Sequence, residues 1–408
     1  MRKNISGLIV CLLVLIASML AGCKSKEYID SETFEKLSNV TYPNVSEEKT
    51  YVNSQQTRLI NDSYFKIVDN IYKEKENMIY SPASLYMALS LLSEGSTGAS
   101  YNELVDYLEV NNLEELRKLN KDLYENNYYK NKNGEGKIAN SIWVKNGSNI
   151  NLDYVKRLEE SYYAESFKAD FSNENDKDNI IRWINNNTND FLKLTKDNYT
   201  IDSSISLLLL NTIYFNNKWS EPFDKSLTRK DTFYSYKNDV EVYFMKHSVE
   251  SVYASSDDYE MVYDYFHNGN KICYLLPSEG KNVKDYLNVN FMEQKWERVI
   301  LNITVPKFKY ITKFDLNNTL ESVGVKSIFK GGLDNIELGL RVSKIKQVAG
   351  IELSEEGVKA AAVTSIDGPT SVEPIDKKVN IKLNRPFIYY ILDSNNTILF
   401  SGVMNNPG

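Results

Sequence analysis

Residues 204–215 read SISLLLLNTIYF, and no other stretch constrains the fold of this chain so strongly. A strand with one wet face alternates apolar and polar residues. A run with no such alternation reads as a central strand buried on both faces. A second stretch constrains what such a sheet can do. Residues 355–365 read EEGVKAAAVTS, with small residues after the glycine and no proline. In extended form, Val358, Ala360, Ala362, Thr364 and Ile366 share one face, and Lys359, Ala361, Val363, Ser365 and Asp367 the other. The first face is small or apolar, as a crowded sheet interior requires, and the second suits solvent. Alanine is also the best helix former, so an exposed short helix or a plain loop fits the same residues. The next segment, IDGPTSVEPIDKK, holds turn formers and charges, and residues 379–400 return to β-branched and aromatic residues.

The chain has 408 residues and a formal charge of −7, with 42% apolar and 25% charged residues. That is an ordinary globular composition. The negative charge argues against nucleic acid as a partner, because phosphate binding needs a basic surface. No Gly/Pro-rich linker and no internal repeat divides residues 55–407, so one large α+β domain is expected.

The first residues are a targeting segment. Arg2 and Lys3 precede an apolar run over 8–20, which ends Leu20-Ala21-Gly22-Cys23. The run is short for a membrane span and fits a secretory signal, 1–22. Its end resembles the bacterial lipobox, which makes Cys23 the lipidated N-terminus and places the protein at the cell surface, or released outside the cell. Residues 23–54 are polar and read as a flexible tether to a domain over 55–408. Cys11 leaves with the signal, and Cys273 in KICYLLP reads as a buried small hydrophobe without a disulfide partner.

Helical spacing begins at Leu59, Ile60, Phe65, Ile67, Val68 and Ile71. Ser81-Pro82 opens a helix whose body, ASLYMALSLLSEG, is apolar almost all round and so buried. Further helices are expected over 97–108, 112–124, 153–163, 178–194 and 314–329. Strands are expected over 138–144, 231–276, 299–310 and 341–353.

Enzymatic machinery is not legible. The two histidines, His247 and His267, belong to no metal-ligand spacing. No G-x-S-x-G and no phosphate-cradling glycine loop occurs, and pairs such as Glu355-Glu356 suit solvated charges. Nothing calls for a metal or a cofactor, and the chain reads as a non-enzyme.

Five segments together resemble the serpin family: IYSPASLYMALSLLSEGSTGASYNEL from Ile79, NTIYFNNKWSEPF from Asn211, VPKFKYITKFDLNNTLESVGVKSIF from Val305, VSKIKQVAGIELSEEGVKAAAVTS from Val342, and LNRPFIYYILDSNNTILFSGVMNNP from Leu383. They follow the family's order across residues 55–407. The resemblance implies three β-sheets, about nine helices and an exposed reactive-centre loop over about 355–385. It also implies a monomeric inhibitor of endopeptidases. The protease attacks the loop, the hinge half enters the central sheet as a new strand, and the covalently held protease is distorted. Each new backbone hydrogen bond is worth about 0.5–1.5 kcal/mol. A dozen would supply on the order of 10 kcal/mol, a whole domain's stability.

By that resemblance the hinge is Glu355, Glu356, Gly357, Val358, Lys359, Ala360, Ala361, Ala362, Val363 and Thr364. Val358 replaces the usual hydroxyl residue and Lys359 the usual glutamate. Family spacing puts the reactive bond at Ser371-Val372, or one residue either side. Small residues there suit an elastase-like or subtilisin-like serine protease, or a papain-like cysteine protease, rather than pockets for basic or aromatic side chains. Ser81, Ser84 and Asn211 match polar residues where the central strands part, with Gln347 in place of the family's histidine. Glutamine donates and accepts but does not titrate. Trp219 matches a tryptophan under the top of the sheet, and Lys307 a partner of Glu355. The alternative is a non-inhibitory serpin, a binding or structural surface lipoprotein.

Overall fold

The computed structural model describes residues 34–45, 54–358 and 375–408. In chain order the elements are β1 (Glu35–Lys36), α1 (Ser54–Phe65), α2 (Val68–Ile71), β2 (Met78–Tyr80), α3 (Pro82–Gly95), α4 (Gly98–Leu108), α5 (Leu113–Asn127), β3 (Tyr129–Asn131) and β4 (Gly134–Lys145). There follow α6 (Leu152–Tyr162), β5 (Ala164–Ala169), α7 (Glu174–Asn187), β6 (Leu207–Lys218), β7 (Arg229–Phe233), β8 (Val240–Ser255), β9 (Tyr259–Tyr265), β10 (Lys271–Pro277), β11 (Glu297–Pro306) and β12 (Phe308–Asp315). Last come α8 (Asn317–Ser322), β13 (Lys344–Ser354), β14 (Gly357–Val358), β15 (Lys378–Lys382), β16 (Phe387–Leu392) and β17 (Ile398–Met404).

The apolar run becomes β6, in the middle of an eight-stranded sheet ordered β1-β5-β4-β6-β14-β13-β12, with β3 beside β4. Both faces of β6 are covered. Leu208 and Leu210 pack with Ile180, Trp183 and Ile184 of α7. Leu207 and Leu209 join the main core on the other side, with the leucines of α3. Every residue of α3 is buried, which explains a helix with no polar face. Ser81 caps it, its hydroxyl accepting from the Ser84 N–H at 3.2 Å, and Pro82 takes the first turn.

The second sheet has nine strands, ordered β15-β11-β8-β9-β10-β16-β17-β2, with β7 on β8. The expected second and third sheets are therefore one hydrogen-bonded sheet. The cause is β8, whose 16 residues pair with β7, β11 and β9 in turn. The described residues hold eight α-helices beside four short 3₁₀ turns. The helix expected to reach residue 194 stops at Asn187, where Asn189, Asp190 and Lys193 turn left-handed. The helix expected over 314–329 shrinks to α8, because Phe314 completes β12 and Gly324 has φ +99°.

The tether is corrected over residues 34–45. β1 pairs antiparallel with β5 at the edge of the large sheet, Glu35 against Lys168 and Lys36 against Phe167. The Leu37 N–H donates to the Ser166 carbonyl, and the Ser166 N–H to the Ser38 hydroxyl, both at 2.8 Å. Phe34 packs on Trp143 and Phe167 with ring centroids 5.7 and 5.6 Å away, and Tyr42 stacks on Tyr128. The segment averages as polar, yet a short edge strand needs only two ladder pairs and one aromatic anchor. Cys23 and the signal lie outside the described residues, and among the described ones no helix is long and apolar enough to cross a membrane.

Candidate functional site

Two central strands of the large sheet part company. β6 and β13 run parallel and pair over Leu208–Asn211 and Lys344–Gln347. Above that, residues 212–216 and 348–352 do not pair with each other. At the top, β14 lies between the two strands: Val358 faces Leu353 of β13 and Asn217 of β6, and Gly357 faces Ser354 and Lys218. Both pairings are antiparallel, as an inserted strand entering from the top requires. The open seam between holds a void of about 20 Å³, lined among others by Ile213, Phe215, Gly350, Ile351 and Val358. A void that small admits about one water, so a further strand enters only if β6 and β13 separate.

Glycine is required at the mouth. Gly357 has φ +143°, and a Cβ there would stand 2.1 Å from the Asn217 carbonyl oxygen. Val358 is 4% exposed, so its side chain occupies the inward face assigned by alternation. Lys359, Ala360, Ala361, Ala362, Val363, Thr364, Ser371 and Val372 lie outside the described residues.

Where the seam closes, a polar cluster ties the strands to α3. The Gln347 amide accepts from the Ser81 N–H at 2.8 Å and donates to the Ser81 carbonyl at 2.9 Å. The Ser81 hydroxyl donates to the Leu399 carbonyl at 2.6 Å. The Ser84 hydroxyl donates to Asn211, whose amide donates to Asn140 on β4. All five side chains are buried, and satisfied buried networks of this kind define one arrangement. Ser81, Ser84, Asn211 and Gln347 thus meet at one point.

At the mouth, the connection over 219–228 holds the hinge from one side. Trp219 is fully buried, stacks on Phe266 at 4.6 Å, and donates its indole N–H to the Ser354 carbonyl at 2.9 Å. Its backbone N–H donates to the Glu356 carbonyl at 3.3 Å, and that of Phe223 to the Glu355 carbonyl at 3.0 Å. Lys307 reaches the Glu355 carboxylate at 2.8 Å, and the Thr228 hydroxyl donates to it at 3.0 Å. Burial alone would raise the Glu355 pKa, but hydrogen bonds from Lys307 and Thr228 and the lysine charge hold it below its ordinary value. A depressed carboxyl pKa stabilises the fold above the unfolded value and loses that contribution as pH falls through the folded one. Glu356 pairs instead with Lys225 at the surface.

Sequence reasoning placed Trp219, Lys307 and Glu355 here. It missed Phe223, Lys225 and Thr228, although they directly follow Trp219 in KWSEPFDKSLT. No single-residue signal marks a backbone N–H or a hydroxyl as a hinge contact.

A family model described as Serpin (serine protease inhibitor) matches residues 58–407. A serpin-like protein of Methanosarcina acetivorans is 30% identical over 370 residues, spanning 85% of each chain. A serine protease inhibitor of Cyanea capillata is 28% identical, over 82% of this chain and 93% of that one. Among solved structures, the thermophilic serpin tengpin in its native state has a TM-score of 0.77 at 26% identity, covering 88% of this chain and 96% of that one.

Proposed function

The chain belongs to the serpin family, and we propose that it inhibits endopeptidases as a suicide substrate. A protease of elastase-like or subtilisin-like specificity, serine or papain-like cysteine, attacks the loop at Ser371-Val372 or one residue to either side. The protease nucleophile displaces the amine of the next residue, so that an acyl bond to the hinge half forms as the peptide bond breaks; the C-terminal part keeps its place through β15, β16 and β17, and the hinge half inserts between β6 and β13. The protease, still held by its ester (serine) or thioester (cysteine), is carried along and distorted before water releases it.

The observation that supports this reading most directly is β14. Two hinge residues, Gly357 and Val358, already bridge β6 and β13, above a seam where those strands do not pair. Insertion of 359 onward would extend a ladder that is started. The strand gained in this way is worth on the order of 10 kcal/mol, so the uncleaved form is held kinetically.

Incubation with an elastase-like protease is expected to give a complex stable to denaturing detergent. Mass spectrometry of the C-terminal peptide is expected to begin it at Val372, or one residue away. Cleavage without a stable complex, and with no gain in thermal stability, would instead support a non-inhibitory serpin acting by binding.

We further propose that Cys23 carries lipid, so that inhibition occurs at the outer cell surface or close to it. Cys23→Ser is expected to abolish lipid labelling and membrane partitioning. Retention of both in that variant would refute the lipobox assignment.

A further inference from the structure

The connection that grips the hinge rests on a buried histidine–aspartate pair. His247 of β8 is 8% exposed. Its Nε2 lies 3.0 Å from Asp264 Oδ2 on β9, and its Nδ1 lies 2.9 Å from the Glu221 carbonyl oxygen. The Asp264 side chain is wholly buried. Both partners of the ring offer it acceptor oxygens: a carboxylate and a backbone carbonyl. A neutral imidazole has one N–H and satisfies one of them, whereas the imidazolium satisfies both. The ring also stacks on Phe223 at 3.7 Å and 16°.

Glu221 and Phe223 belong to the connection over 219–228. Phe223 donates its N–H to the Glu355 carbonyl, and Trp219 holds Ser354 and Glu356. His247 therefore supports that connection at two points, directly behind its hinge contacts. Among the described residues no hydrogen bond joins the histidine to the hinge itself; the coupling runs through the connection.

We propose that the charge on His247 sets how firmly the 219–228 connection holds the hinge, so that hinge release depends on pH. The proposal rests on the reading of 355–364 as a strand that inserts. When the imidazolium gives its proton to solvent, the remaining N–H stays with the carboxylate, the stronger acceptor. The bare Nδ1 lone pair then faces the Glu221 carbonyl oxygen, and the buried Asp264 loses its counter-charge. Both effects push the connection away from β8 and weaken the Phe223 contact with Glu355.

The direction follows from the surroundings. Burial lowers the imidazole pKa, but the charge and hydrogen bond of Asp264, with the carbonyl and charge of Glu221, outweigh it and raise the value. From β11, Ile303 stands opposite His247 in register and adds no charge. A raised folded pKa means that the stabilisation is fully present below the unfolded value near 6.5 and is lost as pH rises through the folded one. Glu355 acts in the opposite window, losing its hold as pH falls through its own depressed value. The Gln347 position, where the resemblance placed a histidine, does not titrate. Under this proposal, pH control of the hinge sits at His247 instead.

The two histidines make the test direct, since His267→Gln leaves one imidazole to assign. Ring-proton NMR on the domain is expected to show His247 titrating above the ordinary histidine value. Hydrogen–deuterium exchange of 219–228 and 354–358, compared at each pH with His247→Gln, is expected to rise several-fold in the wild type through that same pH and not in the variant. Asp264→Asn is expected to move the rise to lower pH. A His247 pKa at or below the ordinary value, or equal exchange in wild type and His247→Gln across the range, overturns the proposal. If His247→Gln does not fold, Asp264→Asn decides: an unmoved exchange profile overturns the proposal and a shifted one supports it. None of these readouts uses a protease. A chain with the pH response and no covalent complex would lose the inhibitory reading while keeping the switch.

Discussion

Val358→Arg is expected to turn the proposed inhibitor into a substrate. Val358 is 4% exposed and pairs with Leu353 on one side and Asn217 on the other. Its surroundings in the seam include Ile213, Phe215, Ile351 and Phe400; among the described residues that line the void the one acid is Glu352, which already pairs with Lys309. An unpaired charge forced into such a site costs several kcal/mol. The hinge would be driven out of the mouth, and insertion would begin from a worse start. The loop itself stays cleavable, because the bond at 371–372 is remote in sequence. Since about 1.4 kcal/mol corresponds to tenfold in rate, the fraction of protease trapped per cleavage is expected to fall by on the order of 100-fold. The ratio of complex to cleaved chain on a denaturing gel measures it. Undiminished trapping would sink the reading of Val358 as the leading inserted residue.

Deleting residues up to 45 is expected to lower stability on the order of 3 kcal/mol, about the value of one large aromatic side chain removed from its packing. The deletion strips Phe34 from Trp143 and Phe167 and exposes the hydrogen-bonding edge of β5. It also removes Lys36 from Glu165, the carboxylate that accepts from the Trp183 indole of α7 at 2.6 Å. Amide exchange in α7 is therefore expected to rise with the loss of stability. The surface pair of Glu35 with Lys168 at 3.4 Å contributes under about 1 kcal/mol, so Glu35→Ala serves as a control with little effect. An unchanged denaturation midpoint in the truncated chain would mean that the docked segment adds nothing, and that residues up to 54 act as a tether after all.

Much of the architecture was legible in the chain. The unbroken apolar run of 207–210 required cover on both faces, and the structure supplies it with α7 and α3. Ser81-Pro82 marked the start of a helix without a polar side. The α+β class and the serpin arrangement follow from motifs in a recognisable order. These features are local, and periodicity reports them because burial repeats with the backbone's own geometry.

What the sequence by itself determined, then, was the kind of fold and the inward face that Val358 presents. Tertiary structure decided which edges those faces meet. Gln347 finds Ser81 across 266 residues, His247 finds Asp264 although no motif joins them, and residues 34–45 dock on β5 despite a polar composition. It also decided that Val358 already sits between β6 and β13. Such pairings depend on complementary shape and unpaired polar groups brought together by distant segments. A one-dimensional pattern records how strongly a residue prefers burial, not which partner will bury it.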